Sequence, residues 1–210
     1  MTNLQRRRAA AIGAKLKASS YRECARAQFA RLHDFVQAAW PMIESRPFVN
    51  NWHIEVLCEH LEHITDSVTP YKLLVNIPPG TAKSLIVSVL WPAWELSRDA
   101  TKRYLTASYA QNLATRDAVK TRVLLQSPWY REHWPEVQLS TDQNQKTRYD
   151  TTAGGWRIAT SVGGMGTGEH PDRIIIDDPH NAQEAASDLE RQRAIDWFTQ
   201  TVSTRGVTRG

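Results

Sequence analysis

The sequence predicts an α/β fold with a mainly parallel sheet covered by helices on both faces. Three observations predict it. Short apolar runs bounded by turn residues, at 71–77 and Arg173–Ile176, have the profile of strands buried on both faces. Segments with helical spacing of apolar residues alternate with such runs, as β-α-β-α units do. The run YKLLVNI also feeds directly into PPGTAKS, the pattern of a strand entering a loop that opens a helix.

Taken in order, Ala25, Phe29, Leu32, Val36 and Trp40 predict an amphipathic helix from Tyr21 that ends near Pro41. A second helix over 52–64 buries Val56, Leu57, Leu61 and Ile64, and the strand over 71–77 follows. Residues 84–96 read as a helix that Pro92 kinks or stops, because proline lacks the N–H and its ring clashes with the preceding turn. RYLTAS at 103–108 is a strand, and 112–125 a helix with Val119, Val123 and Leu124 inward. Residues 146–160 form two short strands about the turn at Gly154-Gly155, and a glycine-rich loop spans 163–168. After the strand that ends in Asp177 and Asp178, a capping box at Ser187-Asp188-Leu189-Glu190 starts a helix that runs towards Val202 and buries Trp197 and Phe198.

At 210 residues and 41% hydrophobic content the chain suits one core. No run is long and apolar enough to span a bilayer, and the N-terminus lacks the apolar stretch of a signal peptide, so a cytoplasmic protein is expected. Cys24 and Cys58 make no disulfide framework, and Cys58, His60 and His63 point to different faces of a helix, which argues against a metal site. The net charge of +4 comes from the N-terminus, where residues 1–35 carry Arg6, Arg7, Arg8, Lys15, Lys17, Arg22, Arg26 and Arg31 against Glu23 and Asp34. Such a segment contacts nucleic-acid phosphates or is a solvated helix face. The division expected is a basic helical segment over 1–45 and a folded α/β domain over 46–210, in which the chemistry lies.

The chemistry lies in two places. A loop that opens a helix gathers backbone N–H groups where the helix dipole favours an anion. In that setting Pro79, Gly80, Thr81, Ala82, Lys83 and Ser84 would cradle phosphates, with Lys83 on the outer phosphates and Ser84 on Mg²⁺. The glycines of the common phosphate-loop pattern are replaced by Ile77 and Ala82, and a positive φ at Ala82 would cost about 1 kcal/mol or more. Ninety-four residues after Lys83, Asp177 suits the Mg²⁺ shell and Asp178 the polarising of the attacking water. The glycines at 163–168 precede a strand, which excludes a dinucleotide fingerprint.

With these pieces in order, the chain resembles the N-terminal ATPase domain of the large terminase subunit of tailed bacteriophages. The resemblance is carried by Asn51-Trp52-His53-Ile54, Asn76-Ile77-Pro78-Pro79 leading to Lys83-Ser84, Ala107-Ser108-Tyr109 and Ser127-Pro128-Trp129-Tyr130. It continues through residues 159–164, 172–179 and Ser203-Thr204-Arg205. It implies a P-loop NTPase fold of the ASCE type, ATP and Mg²⁺ as ligands, and hydrolysis coupled to packaging of double-stranded viral DNA into the procapsid. It further implies a small terminase subunit and a portal protein as partners, a homo-oligomeric ring at the procapsid with a monomer in solution as the other expectation, no membrane, and the cytoplasm of an infected bacterium. Trp52 and His53 become candidates for contact with the adenine, with Trp52 as a core anchor the alternative. Gly80 stands where many members have a loop arginine, so the arginine finger is expected from Arg148, Arg157 or a neighbouring subunit. The family's nuclease domain has no counterpart here, which makes the chain an ATPase-domain piece of a longer polypeptide, weakly active alone. Another P-loop DNA translocase or helicase core, and a nucleotide-binding assembly module without hydrolysis, are the other functions weighed.

Overall fold

A computed structural model of the chain describes residues 7–8, 12–13, 19–20, 23–24, 26–69, 72–164 and 168–202. Arg6, Lys15, Lys17, Arg22, Tyr21, Ala25, Tyr71, residues 165–167 of the glycine-rich loop and Ser203-Thr204-Arg205 lie outside them. The regular elements are α1 (Leu32–Ala39), α2 (Trp52–Asp66), α3 (Lys83–Leu85), α4 (Trp91–Arg98), β1 (Arg103–Ser108), α5 (Gln111–Gln126), α6 (Pro128–His133), β2 (Leu139–Asn144), β3 (Arg148–Thr151), β4 (Trp156–Ser161), β5 (Arg173–Ile176), α7 (Ala182–Ala186) and α8 (Asp188–Trp197).

The sheet is mixed, which corrects the mainly parallel P-loop sheet expected from the sequence. Its order is β2-β3-β4-β1-β5. Central β1 pairs in parallel with β4 and with β5, whereas β3 pairs antiparallel with both β2 and β4. The physical cause is the short connection between β3 and β4, since a parallel neighbour needs a crossover of a dozen residues or more and a tight turn does not supply one. That turn also docks on the chain before β1. Thr151 Oγ1 donates to the Ala100 carbonyl at 2.6 Å, and a Cβ on Gly155 would lie 2.4 Å from the same oxygen.

A second correction concerns residues 72–77, which form no strand. Leu73 and Val75 lean on the core, but Leu74 is 92% exposed. The apolar composition gives the segment β propensity, yet it pairs with neither edge strand of the sheet, β2 or β5. Conversely β2, with the polar sequence LSTDQN, carries no apolar alternation and is half open at the sheet edge.

The helices follow their apolar stripes with local departures. Phe29, Leu32, Val36 and Trp40 are buried as expected and α1 packs on α2, but the helix expected from Tyr21 is not continuous: residues 29–31 form a turn and bends before α1 begins at Leu32. In α2 the buried stripe is Ile54, Leu57, Cys58, Leu61 and Ile64, with Val56 turned out. Burial pushes the Cys58 thiol up to about 12. In α5 the inward side chains are Ala114, Asp117, Ala118, Thr121, Leu124 and Leu125, so Val123 is exposed where a buried position was expected. The reciprocal capping box is at Asn181 and Glu184, whereas Ser187 Oγ accepts only from the Glu190 N–H. Phe198 is exposed and Trp197 half-buried, because α8 rests on the body through Ala194 alone among its fully buried residues.

Pro92 does not stop its helix. The helical run continues from Lys83 to Arg98, and a π-helical stretch at Ile86–Leu90 comes before proline in the first turn of α4. The Ser88 carbonyl, four residues before Pro92, has no proline N–H to receive. Arg157 on β4 supplies the donor, with Nη2 at 2.7 Å from that oxygen and Nη1 at 2.7 Å from Thr121 Oγ1. Thr121 Oγ1 in turn donates to the Val89 carbonyl at 3.2 Å. Leaving such a carbonyl unpaired in a dry interior costs about 1–3 kcal/mol. We therefore expect Arg157→Met to lower unfolding free energy by about 2 kcal/mol in urea titrations, and Pro92→Ala to recover part of that loss by restoring a helical donor. Strictly additive effects of the two changes would mean that Arg157 does not serve this carbonyl.

Candidate functional site

The loop between the extended segment and α3 is closed by its own side chain, Thr81 Oγ1 donating to the Pro78 carbonyl at 2.7 Å. His53 reaches the loop from the first turn of α2. Its Nε2 lies 3.2 Å from the Thr81 carbonyl, which can only accept, so that nitrogen carries the proton. Gly80 and Ala82 both have left-handed backbone, φ 82° and 63°, and Ala82 provides no side-chain cap for the first turn that follows. The strain expected at Ala82 is therefore present. It turns the chain just before Lys83, whose side chain reaches the strand ends of the sheet.

Those strand ends supply the acids. The Asp177 N–H donates to the Ala107 carbonyl at 2.9 Å, extending the β1–β5 ladder by one residue. At Asp178 the backbone turns into the left-handed region, φ 44°, and its carbonyl accepts from the Tyr109 N–H at 3.0 Å. The two motifs then meet across 94 residues of sequence: Lys83 Nζ lies 2.7 Å from Asp178 Oδ1 and 3.1 Å from Asp177 Oδ1. Partial burial works against the Lys83 charge, but the hydrogen bond to Asp178 and the charge of Asp177 outweigh it and hold the ammonium above its ordinary value. Asp178 remains open to solvent at 62% of its side chain, whereas Asp177 is largely covered.

Other expected residues fall in different places. Trp52 is 74% exposed beside His53, their ring centroids 6.0 Å apart, which removes the core-anchor alternative. Arg157 is 1% exposed and committed to Ser88 and Thr121, so it is a structural residue and cannot serve as an arginine finger. Arg148 is held by Asp150 at 3.2 Å and Glu169 at 2.7 Å. The charge missed from sequence is Arg116 on α5. Its guanidinium forks onto Asp117 at 2.8 and 3.2 Å, and that hydrogen bond raises its pKa first, with Asp177 and Tyr109 adding to the effect. Helical spacing could place Arg116 on the open side of α5 but could not show which strand end lay beneath it.

The donor set suits a small divalent cation only in part. The Lys83 ammonium lies where a cation would meet Asp177 and Asp178, and Ser84 is the next residue. Among the described residues, no group of three or more His, Cys, Asp or Glu side chains converges to hold a metal. Mg²⁺ is commonly held by one or two carboxylates with phosphate oxygens and water completing its shell, and Asp177 and Asp178 are two such carboxylates side by side. No helix among the described residues is long and apolar enough to cross a membrane.

No protein-family model matches the chain, and no curated protein matches it in sequence.

Because Ala82 holds a conformation that glycine adopts freely, Ala82→Gly is expected to raise stability by up to about 1 kcal/mol, the relief of strain exceeding the entropy added to the unfolded chain. A lowered melting temperature would show that this backbone is not strained.

Proposed function

We propose that the chain binds ATP with Mg²⁺ and hydrolyses it, and that this hydrolysis drives packaging of double-stranded viral DNA, as in the large terminase subunits its motifs resemble. The convergence of Lys83 with Asp177 and Asp178 carries the proposal. A phosphate-loop lysine and a twin aspartate could arise separately by chance. Their meeting within hydrogen-bond distance at one end of the sheet is the arrangement that a triphosphate site requires.

In this reading the loop over Pro79–Ser84 binds the polyphosphate through backbone N–H groups, and Lys83 neutralises the outer phosphates. Ser84 and Asp177 would hold Mg²⁺, which supplies charge neutralisation across the phosphates when bound. Asp178 is the open carboxylate and so the one that orients and deprotonates an attacking water. Trp52 offers an aromatic face for the base, while His53 acts by fixing the loop through the Thr81 carbonyl. Arg116, whose guanidinium interacts with the Asp177 charge, replaces Arg157 as the candidate arginine among the described residues, and the DNA, the small subunit, the portal and the ring belong to the resemblance.

The test is Mg²⁺-dependent ATP turnover by the full chain, with and without double-stranded DNA. Lys83→Ala should lose ATP affinity by tenfold or more while still folding, with a somewhat lower melting temperature because Asp177 loses its partner. Asp178→Asn should retain binding and lose turnover by about 10²–10⁴-fold. Retained affinity in the first variant or full turnover in the second would remove the site. Trp52→Ala should weaken ATP by about fivefold or more but leave inorganic triphosphate unaffected, since stacking involves only the base. Equal losses for both ligands would place Trp52 outside the base site.

A further inference from the structure

Lys83 has a second consequence that rests on the nucleotide reading. We propose that Lys83 is a resident counter-ion, exchanged when ligands arrive, so that a polyphosphate and a divalent cation bind interdependently and neither reaches full affinity before the other is present.

The geometry motivates the exchange. One ammonium answers two carboxylates, 2.7 Å from Asp178 and 3.1 Å from Asp177. Lys83 and Asp177 are both mostly covered, so removal of a partner leaves a poorly hydrated charge. A polyphosphate that enters alone draws Lys83 away and leaves both carboxylates facing its own negative charge. A cation that enters alone meets the ammonium and displaces it with no anion to receive it. When both enter, Lys83 passes to phosphate, the carboxylates pass to the cation, and every charge keeps a partner. The backbone limits escape by other routes, because Asp178 is anchored through its carbonyl to the Tyr109 N–H and Lys83 follows directly on left-handed Ala82. Linkage then requires the coupling to be reciprocal: the factor by which Mn²⁺ tightens triphosphate equals that by which triphosphate tightens Mn²⁺.

Mn²⁺ binding to the full chain can be followed by electron paramagnetic resonance, and binding of inorganic triphosphate and ATP by calorimetry, separately and together. Values are corrected for the Mn²⁺–triphosphate complex formed in solution. The wild-type chain should show a coupling factor of tenfold or more. Lys83→Met should bind Mn²⁺ alone at least tenfold more tightly than wild type and lose the coupling. Asp178→Asn alters an open carboxylate and should fold, and it should bind triphosphate alone more tightly and Mn²⁺ alone more weakly. A Lys83→Met chain that melts like wild type but gains no Mn²⁺ affinity overturns the proposal. If Lys83→Met does not fold, an unchanged triphosphate affinity in Asp178→Asn overturns it instead. Wild-type binding of triphosphate without coupling also overturns the exchange, yet leaves the nucleotide reading in place. Failure to bind ATP or triphosphate at saturating Mn²⁺ overturns both.

Discussion

A helix with a proline inside it must leave one carbonyl without its helical donor, and much of this structure depends on how that carbonyl is satisfied. Here the donor is a guanidinium from the sheet. Arg157 belongs to β4, in register with Tyr104 of β1 and Tyr149 of β3, and reaches across the interior to the Ser88 carbonyl. The same layer contains Glu95, which accepts from the Tyr104 hydroxyl at 2.8 Å and from Arg173 Nη2 at 2.8 Å. These bonds tie the helical run over 83–98 to β1, β4 and β5 together. Hydrophobic burial sets how closely that run approaches the sheet, but buried polar bonds have direction and therefore fix its position along the strands.

That position decides the site. Lys83 begins the run and Asp177 directly follows β5, so a helix displaced by one turn, about 5.4 Å, would separate ammonium from carboxylate beyond any hydrogen bond. Left-handed backbone at Ala82 and Asp178 completes the approach from each side. Neither residue is glycine, and such conformations cost of order 1–3 kcal/mol each unless the surroundings hold them. The Tyr109 bond to the Asp178 carbonyl and the His53 bond to the Thr81 carbonyl are among the contacts that do so.

The errors in reading the sequence share one physical origin. Residues 71–77 look like a buried strand because apolar runs do, but whether such a run joins a sheet edge depends on tertiary packing that its own composition does not carry. LSTDQN has no strand pattern and is nevertheless paired, because its hairpin partner lies beside it. Pro92 looked like a terminator because its remedy, Arg157, is 65 residues away in sequence. For the same reason Arg157 looked available for catalysis: an isolated arginine in a sequence carries no mark of burial. In α5, the spacing of Val119 and Val123 suggests an inward face, whereas Thr121 is buried in the layer it shares with Arg157, and Asp117 is buried with its carboxylate on Arg116.

By itself the sequence determined local matters: β1 and β5 over their observed bounds, the turn at Gly154-Gly155, the burial of Phe29, Leu32, Val36 and Trp40, and a lysine-serine loop and a twin aspartate as the chemically distinctive residues. Those follow from side-chain period, turn chemistry and residue type, which act over a few positions. Only the tertiary structure decided the mixed sheet, the unpaired segment before the loop, the burial of Arg157 and the contact of Lys83 with both carboxylates. Each of these depends on which distant residues compete for the same hydrogen-bonding edge or the same charge, and that competition is settled by packing in three dimensions.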